Sequence, residues 1–94
     1  MKIVSAKHRG LKRLIEDEDP REIRADHVNR VRHILAALIV ADDMQGVMGP
    51  PGWHIHQLSG DRNGTWSISV SGNWRLTFDL AAGEIRNLNL EDYH

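Results

Sequence analysis

The sequence predicts an α+β fold: two N-terminal helices packed on one face of a mainly antiparallel sheet of four to five strands. Three observations carry this expectation. In the first half, apolar residues recur at three- and four-residue spacing, the period of an amphipathic helix. In the second half they alternate with polar residues, the period of a half-buried strand. Between the halves lies DDMQGVMGPPGW, where Gly46, Gly49, Pro50, Pro51 and Gly52 suit neither a helix nor a central strand. Neither half can bury a core alone, so this is a loop within a single domain spanning 1–94.

Residues 1–4 are short and apolar enough for an edge strand. Ser5 is a suitable cap for a helix over 6–18, with Leu11, Leu14 and Ile15 as its buried stripe and Pro20 as its stop. The strongest helical pattern covers 21–41, where Ile23, Val28, Val31, Ile34, Leu35, Leu38 and Ile39 recur on one side. A strand follows over 53–58, then the turn SGDRNG. Trp66, Ile68 and Val70 alternate with Ser67, Ser69 and Ser71 up to a Gly72-Asn73 turn. Trp74, Leu76, Phe78 and Leu80 then alternate with Arg75, Thr77 and Asp79, completing a hairpin. Ala82-Gly83 makes another turn before a last strand over 84–90. If the Trp66 and Trp74 sets face the helices, Ser67, Ser69, Arg75, Thr77 and Asp79 line the other face. That face is either solvated surface or a docking surface, and alternation does not choose between them.

Composition excludes some chemistry. With no cysteine among 94 residues, disulfides, thiol nucleophiles and cysteine-based zinc sites are ruled out. Twelve Lys and Arg against thirteen Asp and Glu give a formal net charge of -1, so overall charge provides no attraction for a polyanion. Locally, Lys2, Lys7, Arg9, Lys12 and Arg13 crowd the start, ahead of the acidic run 16–19. The opening residues lack a signal-peptide core, and no apolar run approaches the roughly 20 residues of a membrane span. A cytoplasmic protein without membrane contact is expected.

Two constellations bear chemistry. His54 and His56 stand two apart on the predicted 53–58 strand and would share a face, and Asp92 and His94 repeat the spacing in the closing E-D-Y-H. Those four could hold a zinc ion. The same residues suit metal-independent RNA cleavage, which needs a base for the ribose 2′-hydroxyl, a cation for the phosphorane and an acid for the leaving oxygen. Histidine fits either proton role and arginine fits the phosphate, while tyrosine can stack on a base. The chain offers His54, His56, Arg75, Asp92, Tyr93 and His94. If His94 is the terminus, its own carboxylate favours the imidazolium, a setting for a general acid.

The second half resembles the HigB group of the RelE-like toxins of type II toxin–antitoxin systems. The resemblance rests on the G-D-R-x-G turn at Gly60, Asp61, Arg62 and Gly64, the strand W-S-I at 66–68, N-W-R-L-T-F at 73–78, and the terminal D-Y-H. K-H-R-G-L-K at 7–12 is similar to the family's opening helix, so the likeness covers nearly the whole chain. It implies a compact microbial-ribonuclease-like fold and a toxin that cuts mRNA in the ribosomal A site without a cofactor. It also implies a HigA-like helix-turn-helix antitoxin, through which alone operator DNA is reached. By this resemblance Asp92, Tyr93, His94 and His56 carry the activity, and Arg75 holds the phosphate. Arg62, His54, Lys7 and Arg9 are the RNA-binding candidates, and no metal is expected. Two features point to an alternative, a weak or inactive toxin-fold module acting mainly as antitoxin partner and co-repressor. The net charge is close to zero, and Ser59 stands where a lysine would be a natural phosphate contact.

Overall fold

A computed structural model describes residues 1–92. Its elements, in order, are β1 (Lys2–Ile3), α1 (Arg9–Asp17), α2 (Val28–Val40), β2 (His56–Gln57), β3 (Trp66–Ser71), β4 (Trp74–Ala81) and β5 (Glu84–Asp92). The strands form one five-stranded sheet in the order β1-β5-β4-β3-β2. Strands β2 to β5 pair antiparallel, as expected. β1 departs from that pattern and runs parallel to β5, with Lys2 opposite Glu84 and Ile3 opposite Ile85, so the sheet is mixed.

The first helix starts later than its sequence suggests. Ser5 does not cap it. The Ser5 hydroxyl accepts the Asn87 N–H at 2.9 Å and its carbonyl accepts the Leu88 N–H at 3.1 Å. The Lys7 N–H donates to the Leu88 carbonyl at 2.8 Å, so this segment prolongs the β1–β5 pairing. The cap falls to His8, whose Nδ1 accepts the Leu11 N–H at 3.1 Å. Burial lowers the His8 pKa against an opposing pull from Glu22, and the neutral ring keeps the lone pair that the cap needs. Gly10 has a packing reason: a Cβ there would lie 2.7 Å from the Glu22 carbonyl oxygen.

The second helix is also shorter than 21–41. A single 3-10 turn, Ala25–His27, precedes it. Leu11 and Leu14 of α1 and Val31, Ile34, Leu35 and Leu38 of α2 are buried against Ile68 and Val70 of β3, Leu76 and Phe78 of β4, and Ile85, Leu88 and Leu90 of β5. Each such side chain contributes about 1.5–3 kcal/mol by leaving water. The expected stripe overreaches at Ile39, which is 54% exposed at the end of α2. Trp66 and Trp74 pack against this core while remaining half-buried. Trp74 lies over the buried His27 ring, with centroids 5.4 Å apart.

The expected 53–58 strand reduces to two residues. Pro51–Trp53 is a 3-10 turn that buries Trp53, and His54 takes the left-handed conformation at φ 46°. His54 and His56 therefore do not share one strand, as the expected 53–58 strand would have them do. β5, in contrast, runs two residues beyond its expected end and reaches Asp92.

Candidate active site

The sheet face away from the helices is built in rows. His56 on β2 faces Ser67 on β3, Ser67 faces Thr77 on β4, and Thr77 faces Asn89 on β5. In the neighbouring row Ser69 faces Arg75, and Arg75 faces Glu91. Directly opposed residues share a face. His56, Arg75 and Glu91 therefore lie on one surface, as strand alternation predicts for Arg75.

Several polar side chains on this surface are held by hydrogen bonds. Arg75 Nη1 donates to the Ser69 hydroxyl at 3.2 Å and to the Ser67 hydroxyl at 3.5 Å. Ser67 and Thr77 are buried although they belong to the polar face. The His56 Nδ1 lies 2.7 Å from the His54 carbonyl oxygen. A carbonyl oxygen only accepts, so Nδ1 is the donor. In the neutral ring this leaves the lone pair on Nε2 of an exposed side chain. The backbone of His54 thus orients His56, and its left-handed conformation places the carbonyl to do so.

Arg62, in the 3-10 turn Gly60–Arg62, reaches Glu91 with both terminal nitrogens, at 2.9 and 2.7 Å. The Thr77 hydroxyl donates to the same carboxylate. The hydrogen bonds from Arg62, ahead of the one from Thr77, hold the Glu91 pKa below the usual carboxylate value against an opposing effect of burial. Asp79 accepts from the Asn87 amide at 2.9 Å and from the Thr65 hydroxyl at 3.0 Å. Its pKa is lowered, first by the bond from Asn87 and further by Thr65 and the charges of Lys7 and Arg62. Lys7, Arg62, Asn89 and the two carboxylates border a polar recess of about 90 Å³.

Not every sequence candidate joins this surface. Asp92 faces Trp74 across the ladder and so belongs to the opposite face from Arg75. Arg9 is turned toward Glu22, 2.7 Å away, at the start of α1. The His54 side chain is exposed and borders a separate recess with Arg30 and Ser69. Lys7 is exposed at the rim of the polar recess. Tyr93 and His94 lie outside the described residues. Among the described residues no three His, Cys, Asp or Glu side chains form a group that could hold a metal ion. Sequence reasoning gave Glu91 no role. Continuing the alternation of the last strand by one step past Asn89 would have placed it beside Arg75.

A fixed guanidinium and an oriented imidazole on one exposed surface are suited to a phosphodiester: one receives charge on the phosphate oxygens, the other takes or gives a proton. The chain is similar to known proteins over nearly its whole length. A family model described as the RelE-like toxin of type II toxin–antitoxin system HigB matches residues 4–94. Endoribonuclease HigB from Proteus vulgaris is 41% identical over 92 residues, which are 98% of this chain and 99% of that protein. YafQ from E. coli strain BL21(DE3) superposes with a TM-score of 0.62 at 15% identity, covering 97% of this chain and 91% of that chain. A chain of the E. coli DinJ–YafQ toxin–antitoxin complex gives a TM-score of 0.61 at 16% identity, with coverages of 97% and 90%. At these identities the structural likeness speaks for the fold alone.

Proposed function

The chain belongs to the HigB family of RelE-like toxins of type II toxin–antitoxin systems, and from that premise we propose that it is an endoribonuclease that cuts mRNA in the ribosomal A site. The observation that carries the chemistry is the pairing on one face of Arg75, held by two serine hydroxyls, with His56, whose Nδ1 is tied to the His54 carbonyl. The relative from Proteus vulgaris, named an endoribonuclease, supports the reaction class.

In this mechanism the ribose 2′-oxygen attacks the adjacent phosphorus and the P–O5′ bond breaks. The products are a 2′,3′-cyclic phosphate and a 5′-hydroxyl. His56 and His94 exchange the two protons, one as base toward the 2′-hydroxyl and one as acid toward the 5′-oxygen. Arg75 stabilises the charge that gathers on the phosphorane. Tyr93 stacks on or orients a base, while Asp92, expected to orient a histidine or help as base, faces Trp74 rather than Arg75. Lys7 and His54 are exposed and open to RNA, whereas Arg9 is held by Glu22 and Arg62 by Glu91. No metal or cofactor takes part. The partner is a HigA-like helix-turn-helix antitoxin, by which operator DNA is bound, and the site of action is the cytoplasm. The E. coli DinJ–YafQ complex supports an antitoxin partner.

The test is expression of the wild-type chain and of His94→Ala without antitoxin, with growth followed and mRNA 5′-ends mapped. The same proteins are then added to naked mRNA and to mRNA on ribosomes. Arrest with cuts inside translated frames, seen only with ribosomes and lost in the variant, is expected. Cuts that persist in His94→Ala move the proton chemistry to His56. Soluble wild-type protein that neither arrests growth nor cuts leaves a module that acts through its antitoxin.

A further inference from the structure

The C-terminal end of β5 is supported along one edge among the described residues. β1 covers β5 only at Glu84 and Ile85, with one further bridge from Ala6 to Leu88. Among the described residues the ladder over 89–92 runs on one side only, to β4, and β4 itself begins at Trp74, opposite Asp92. A strand end paired along one edge opens readily. Yet this end leads directly into Asp92, Tyr93 and His94.

One ion pair crosses the polar face to that end. Arg62 sits in the connection between β2 and β3, and Glu91 is on β5, two strands further across the sheet. Both carboxylate oxygens receive a guanidinium nitrogen, the two-point geometry that arginine makes with carboxylates and phosphates alike. Thr77 supports the same carboxylate from β4 below and is itself 2% exposed. The side chains of Arg62 and Glu91 are 41% and 24% exposed, so the pair lies at the surface that RNA would meet. A carboxylate there repels phosphate. Its presence on an RNA-binding face therefore calls for a role other than binding.

Resting on the endoribonuclease reading above, we propose that the Arg62–Glu91 pair is a positioning device. It pins the end of β5 across the sheet, on the face that carries Arg75 and His56, and so holds Glu91 in register with β4. Arg62 acts through Glu91 and is not a principal phosphate ligand, since its fork already holds a carboxylate.

The test uses the full chain with Arg62→Gln, Glu91→Gln and the exchanged pair Arg62→Glu/Glu91→Arg. Cleavage of ribosome-bound mRNA is measured as kcat and KM over a range of salt, alongside amide hydrogen exchange at 89–92. A positioning role lowers kcat by about tenfold to a hundredfold in each single variant. KM and the salt slope stay near wild type, exchange at 89–92 accelerates, and the exchanged pair recovers part of both losses. A phosphate-ligand role does the reverse: Arg62→Gln raises KM, keeps kcat and reduces the salt slope by about one, which overturns the proposal. Glu91→Gln that cleaves faster than wild type also overturns it, since Glu91 would then be a restraint on RNA binding. If the wild type does not cleave, the nuclease reading falls separately. Exchange at 89–92 still decides whether the pair pins the strand, and unchanged exchange in both single variants ends the proposal.

Discussion

The two faces of the sheet come from alternating residues of the same strands, yet different forces hold them. Behind β3 and β4, Ile68, Val70, Leu76 and Phe78 meet the two helices in a packed apolar layer. In front, Ser67, Ser69, Arg75 and Thr77 are tied by hydrogen bonds that run on to Glu91. Apolar packing is non-directional and sums over area. The polar face depends on individual partners at fixed angles, and each loss leaves a specific group unsatisfied. The first face should therefore govern whether the chain folds, and the second what it does when folded.

The largest test of this contrast is Phe78→Ala. The ring is 1% exposed, and its loss should lower stability by about 3–5 kcal/mol in urea denaturation. That is a large share of the roughly 5–15 kcal/mol available to a domain of this size. Arg75→Ala should do the opposite: cleavage of ribosome-bound mRNA falls by about a hundredfold to a thousandfold, with the urea midpoint near wild type. Unfolding of Arg75→Ala would erase the distinction between the faces. Thr77→Val conserves shape but removes the hydroxyl under Glu91, and a stability loss of about 1–2 kcal/mol is expected from the same titration.

A smaller effect comes from pH. Glu91 and Asp79 have folded pKa values depressed below the ordinary 4.5 and 3.8. Their contribution is therefore fully present above those ordinary values and is lost as pH falls through the depressed ones. Urea midpoints should drop below about pH 4.5, and Glu91→Gln should flatten that drop. The smallest effect belongs to neither face. Val40 is 82% exposed at the end of α2, and Val40→Ser should change stability by no more than about 0.5 kcal/mol.

Periodicity makes the two layers legible in the sequence. Val31, Ile34, Leu35 and Leu38 repeat as a helix, and Leu76 and Phe78 alternate as a strand, so their burial follows from local pattern. The misreadings fall where a distant partner overrides local preference. Ser5 is a good cap in isolation, but β5 takes its hydroxyl and carbonyl, and the cap moves to His8. The H-x-H spacing suggests a strand, but burial of Trp53 turns the chain and puts His54 in a left-handed conformation. The parallel β1–β5 pairing joins segments some eighty residues apart, a distance at which local pattern carries no information. The place of Arg75 on the polar face follows from alternation alone. Glu91 lies one residue past the expected end of the last strand, and its partner, Arg62, is in a turn two strands away.

The strand order also sets a timetable. β5, the final strand in sequence, separates β1 from β4, so the earliest strand gains a neighbour only after residues 84–92 are available. Until then β1 has nothing to pair with, and β4 presents a bare edge. Until residues 84–92 are available the sheet stays open, and its closure waits on a long-range contact that forms slowly. During that interval the polar face is incomplete, because Glu91 arrives with the same strand. Structure and reactive surface are completed in one late event, which gives a partner present at that moment the first opportunity to bind.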